Sequence, residues 1–94
     1  MKLKLSRVPS AINHACFVAS SETDERLIYR AALSRLSESS GINFEEEIMG
    51  PSEDVAPGVY HGNRFALIHD LDYGASIWCE STAALEALIG ILEA

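Results

Sequence analysis

The feature that most limits what this chain can become is the two-residue alternation between Phe65 and Glu80. Phe65, Leu67, His69 and Leu71 fall on one side of an extended chain, and Ala66, Ile68, Asp70 and Asp72 on the other. The same alternation resumes after Asp72-Tyr73-Gly74, where the glycine can take the left-handed conformation that closes a three-residue loop. This predicts a hairpin in which Leu71 faces Ala75, His69 faces Ile77 and Leu67 faces Cys79. The other side then pairs Asp70 with Ser76, Ile68 with Trp78 and Ala66 with Glu80. A slip of one residue would mix the two sides along the whole ladder, so the pleat selects this alignment over its nearest rival.

Residues 59–60 extend the pattern backwards, because His61-Gly62-Asn63 can turn one more strand into Phe65 and make a meander over 59–80. Two helices flank it. Over about 22–39, Ser21 is placed to cap and Glu22, Asp24 and Glu25 to occupy the first turn, where the helix dipole favours acids. Ile28, Ala31, Ala32, Leu33 and Leu36 give this segment an apolar stripe, and Gly41 supplies its stop. Over about 82–93, Ser81 or Thr82 caps a segment with Leu85, Leu88, Ile89 and Leu92 at helical spacing. Its remaining sides carry Ala83, Ala84, Ala87 and Ile91, which suggests self-association through the C-terminal helix.

The other segments are less regular. KLKLSRV at residues 2–8 alternates like a strand with lysines outside, and Pro9 ends it. Residues 10–20 fit either a short helix after Ser10 or a strand, the latter favoured over Cys16–Ala19 by Phe17 and Val18. Residues 42–49 fit a short strand or an irregular crossing. Residues 50–58, GPSEDVAPG, read as a loop from their prolines and glycines. The expected architecture is one α+β domain over residues 1–94. It has two layers: an antiparallel sheet of about four strands, and two helices packed on one face.

Charge is unevenly divided. Residues 1–36 hold Lys2, Lys4, Arg7, Arg26, Arg30 and Arg35 against three acids, a net of +3, while residues 37–94 hold eleven acids against Arg64, a net of −10. The acidic second half disfavours nucleic acid, since phosphate contacts need clustered bases, and suits a protein partner with a basic surface. No apolar run approaches the ~20 residues of a membrane span. MKLKL begins like a signal peptide, but Ser6, Arg7 and Pro9 interrupt it, so a cytoplasmic location is expected. Cys16 and Cys79 lack metal-ligand spacing and read as buried, reduced thiols.

No phosphate loop, nucleophile elbow or zinc pattern is present in the sequence. No cofactor, metal or catalytic residue is expected. Trp78 beside Ile68, flanked by Asp70 and Glu80, has the composition of a binding centre, unless the N-terminal strands or residues 50–58 cover it. Together with Glu45, Glu46, Glu47, Glu53 and Asp54, these residues form the candidate partner-binding set. The function expected is a small acidic, non-enzymatic interaction module of the inhibitor, immunity or chaperone type. The alternative is a small-ligand or divalent-metal domain, hydrolytic in its extreme form, built on His61, His69, Asp70 and Asp72. Against that alternative, His69 points to the core side of the hairpin and Asp72 is accounted for by the turn.

Overall fold

The computed structural model describes residues 1–19 and 24–94 of the chain. Among these residues seven strands form one antiparallel sheet: β1 (Leu5–Val8), β2 (Ala11–Phe17), β3 (Ile42–Phe44), β4 (Ile48–Met49), β5 (Glu53–Tyr60), β6 (Asn63–Asp70) and β7 (Gly74–Cys79). Their spatial order is β1-β2-β7-β6-β5-β3, with β4 paired to β5 beyond the end of β3. Helix α1 is Glu25–Ser37 and α2 is Thr82–Glu93.

The expectation of about four strands with both helices on one face is therefore corrected. Seven strands pair, and the helices do not lie together as a layer over a meander. Helix α1 runs against β6 and β7 and reaches β3, whereas α2 sits against β2 and β7 and touches α1. Two errors hid the extra strands. The N-terminal segment is a full hairpin turned at Pro9-Ser10, so β2 spans Ala11–Phe17 instead of the shorter 16–19, and β2 zips onto β7 through His14–Trp78 and Cys16–Ser76. Residues 53–60, read largely as loop, form the eight-residue β5.

Pro57 explains how a proline-bearing segment enters the sheet. A residue's N–H and C=O point to the same side of a strand, and the Pro57 carbonyl accepts the Glu45 N–H at 2.8 Å on the β3/β4 side. The N–H that proline lacks would therefore point into the break between β3 and β4, where no ladder acceptor is needed. On its other side β5 pairs along its full length with β6, from Glu53–Asp70 to Tyr60–Asn63.

The β6–β7 hairpin keeps its expected faces but not its expected register. Asp70 stands opposite Gly74, His69 opposite Ala75, Leu67 opposite Ile77 and Phe65 opposite Cys79. This is a slide of two residues, which preserves which side chains share a face. The cause is Asp70. Its Oδ1 accepts the backbone N–H groups of Asp72 and Tyr73, at 2.8 and 3.1 Å, so Asp70 closes the loop where Asp72 was expected to. Leu71 is thus a loop residue, 65% exposed, and not a core residue. Gly74, at φ 82°, enters β7 in the left-handed region.

The inward sides of β5, β6 and β7 alternate cleanly with half-exposed outward sides. Phe65, Leu67, Ala75, Ile77 and Cys79 join Ala15, Phe17 and Leu5 in one core with Ile28, Tyr29, Ala32 and Leu36 of α1 and Leu85, Leu88 and Leu92 of α2. Asp24 caps α1 by accepting the Arg26 N–H at 2.8 Å, and Ser81 caps α2 through Ala84 N–H at 3.2 Å. The expected cap Ser21 and first-turn Glu22 lie outside the described residues. The apolar residues of α2 are consumed by its own core. Its outward side presents Ala83, Ala87 and Gly90 beside Glu86 and Glu93.

A Cβ at position 74 would lie 2.7 Å from Glu25 Oε2, and that carboxylate accepts the Ala75 N–H at 2.7 Å, tying α1 to the hairpin. Gly74→Ala combines a positive φ with this collision. It is expected to cost about 1–3 kcal/mol, several degrees of Tm in a chain this size, measured by thermal and urea unfolding.

Candidate functional site

The outward row of the sheet crosses all its strands. Ile68 stands between Ser76 and Val55, and Val55 is paired in turn with Ile48 of β4. One step along the strands, Trp78 stands between His14 and Ala66, with Pro57 beyond. His14, Val55, Pro57, Val59, Ala66, Ile68 and Trp78 are all half-exposed, and Ile48 is 61% exposed. Trp78 is therefore neither core nor fully solvated. Ile68 is its diagonal neighbour across β6–β7, not its direct partner.

The sequence placed Trp78 and Ile68 on this surface correctly through the alternation alone. It missed β5's share, because Val55, Pro57 and Val59 belonged to a presumed loop. It also missed His14, whose strand was unresolved. On β5 the usual preference is inverted: the inward residues are Asp54, Ala56 and Gly58, and the larger apolar ones face out. Gly58 is required there, since a Cβ would come within 2.9 Å of the Phe65 ring.

The acids of the candidate set are scattered. Asp70 and Glu53 are cross-strand neighbours at one end of the outward face. Glu80 is at the other end, its carboxylate accepting the Arg64 N–H at 2.6 Å. Glu45 and Glu46 are exposed on the arch between β3 and β4. Asp54 and Glu47 belong to the opposite side. Asp54 is buried at 8% exposure, directly across from His69 at 6%. Its Oδ2 lies 3.7 Å from His69 Nδ1, too far for a hydrogen bond. Glu47 accepts the Tyr29 hydroxyl at 2.6 Å and pairs with Arg30 at 3.2 Å. It is thus tied into the fold and not displayed to a partner.

The rival constellation does not assemble. His61 occupies the β5–β6 turn at φ 46°, while Asp70 and Asp72 lie at the far end of β6, roughly 25 Å away at ordinary strand rise. His69 points to the face opposite Asp70, with its ring 5.9 Å from that of Tyr29. Among the described residues no group of three or more His, Cys, Asp or Glu is disposed to hold a metal. Beside His69 and Asp54 a polar cavity of about 70 Å³ is lined by Arg26, Ser52 and Leu71. That is room for a water or two, well below the several hundred Å³ of a substrate pocket. A larger apolar groove of about 430 Å³ runs between the β1–β2 hairpin and α2, bordered by Ile12, Leu85 and the Arg7–Glu86 ion pair. Besides that pair, Thr82 is the polar residue of its lining.

Cys79 is buried, and burial pushes its thiol pKa up, which suits an inert core thiol. Cys16 is exposed on the outward face, correcting the expectation that both cysteines are buried. No described helix is long and apolar enough to cross a membrane. Comparison with protein-family models, with curated proteins and with solved structures gives no significant match to this chain.

Tyr29 supplies a measurable signature of the α1–sheet junction. Burial, followed by the hydrogen bond to Glu47, raises its pKa well above that of an ordinary tyrosine. A pKa raised by folding means its contribution is intact below the unfolded value near 10 and is lost as pH climbs beyond it. In a spectrophotometric titration the ionisation of Tyr29 should lag, its phenol staying protonated until the protein unfolds. Tyr29→Phe should abolish the lagging step and cost about 1–2 kcal/mol, because Glu47 loses a donor.

Proposed function

We propose that this chain is a non-enzymatic protein-interaction module of the inhibitor, immunity or chaperone type, working in a cytoplasmic setting. Its contact surface is the outward face of the sheet centred on Trp78 and Ile68. The observation that carries this reading is the half-exposed apolar set running from Trp78 on β7 through Ala66 and Ile68 on β6 to Val55, Pro57 and Val59 on β5, continued to the exposed Ile48. Isolated exposed apolar residues need no explanation, but a contiguous set with a tryptophan at its centre is the anatomy of a binding surface. Polar and charged groups lie at its ends, Glu53 and Asp70 at one and Glu80 and Arg64 at the other. The acids at the first end, with Asp72 and the nearby Glu45 and Glu46, suit a partner that brings basic groups to that edge.

Trp78→Ala combined with Asp70→Ala should weaken partner capture from the native cell extract by tenfold or more, since a central aromatic anchor is worth on the order of 2 kcal/mol. Leu27→Ala, at an exposed position on α1, should leave capture unchanged. Equal capture by all three proteins, each folded by circular dichroism, would remove this surface from the reading.

A further inference from the structure

We propose that the occupant of this face is a second copy of the chain, related by a two-fold axis running parallel to the strands between β6 and β7. This rests on the reading of the outward face as a contact surface, and it names the partner. The charge division of the sequence now has a place in space. Lys4 is exposed and alternates with the buried Leu3 and Leu5, so it marks the outward side of the β1 edge. Glu53 lies on the same side at the β5 end of the sheet, level with Lys4 along the strands. At this end the face is thus basic at its β1 edge and acidic toward its β5 edge, where Asp70 joins Glu53, and the apolar set around Trp78 and Ile68 lies further along the strands.

A surface that is its own electrostatic complement needs a rotation that exchanges its two edges, and the proposed axis does this. Strand β7 of one copy then covers β6 of the other, β2 covers β5, and the β1 edge meets the β4 edge. Trp78 falls on Ala66 of the second copy, the largest side chain of the face against one of its smallest. Glu80 falls on Arg64, and Lys4 comes within reach of Glu53. The strand directions of the two sheets remain nearly aligned, the usual arrangement of a sandwich. Six strand positions by seven residue levels give on the order of 500 Å² of face per copy. Two copies reach about 1,000 Å², at the threshold for a specific interface.

The test uses the full chain in sedimentation velocity from about 1 to 200 µM, where an interface of this size operates. The expected result is a monomer–dimer equilibrium, with Trp78 emission shifting to the red on dilution. Lys4→Glu and Glu53→Lys each set like charges against each other twice per dimer and should weaken it roughly tenfold. An equimolar mixture of the two variants restores an opposite pair at both contacts, so it should associate as the wild type does. That recovery is peculiar to a face that pairs with itself. A monomer throughout the range overturns the proposal, as does unchanged association of the single variants or a mixture no tighter than either alone. A monomer whose capture of a basic protein depends on Trp78 also overturns it, while leaving the proposed function standing. A dimer obeying the charge-swap rule without any foreign capture upholds it and makes self-assembly the interaction itself.

Discussion

Phe65, Leu67 and His69 of β6 must all leave water on one side of a strand that has neighbours along both edges, and the rest of the molecule is arranged to meet that demand. Strands β5 and β7 flank β6 and extend its inward row with Ala56, Ala75, Ile77 and Cys79. Burying such a row is the main favourable term available to a chain this short. Two amphipathic helices supply the apolar cover, Ile28, Tyr29, Ala32 and Leu36 from one and Leu85, Leu88 and Leu92 from the other. The ends are fastened by polar contacts from the helices to distant backbone. Arg35 donates to the carbonyls of Leu92 and Met1, Glu93 accepts the Leu5 N–H at 2.9 Å, and Glu25 accepts that of Ala75. The Glu93 contact also occupies one edge donor of β1, which blunts that edge against stray pairing.

The same pleat that buries one row leaves the other facing out, and here that row is not polar. A sheet with one wet face normally alternates apolar-in with polar-out. This one sends Val55, Pro57, Val59, Ile68 and Trp78 outward and keeps Asp54 and His69 in. The inversion on β5 carries the functional reading, because it leaves apolar area outside without any gain to the monomer's core.

The polar groups of α1 that face the sheet are tied to the arch between β3 and β4. Among the described residues no buried side-chain nitrogen or oxygen lacks a hydrogen-bond partner. Tyr29 is central to this. Its ring lies against His69, its hydroxyl donates to Glu47, and the Arg30 guanidinium sits 5.6 Å above its ring. Glu47 belongs to the arch between β3 and β4 and reaches back to α1.

Much of this was legible in the chain itself. Period-two alternation determined which residues of β6 and β7 share a face, and helical spacing with a capping serine determined α2, since both patterns depend on near neighbours. The two-residue slide of the hairpin was not legible, because parity is blind to it and the decision lay with one carboxylate, that of Asp70. Strand β5 was not legible either. Its glycines and prolines describe a loop until Pro57 is seen against the break between β3 and β4, and Gly58 beneath the Phe65 ring. The pairing of Asp54 with His69 followed only from that strand. The sequence alone determined the faces of the central strands and the opposition of a basic first third to an acidic remainder. Only the tertiary structure decided that seven strands meet, and that Lys4 and Glu53 stand at opposite edges of one sheet face, because long-range pairing sets which local patterns become neighbours.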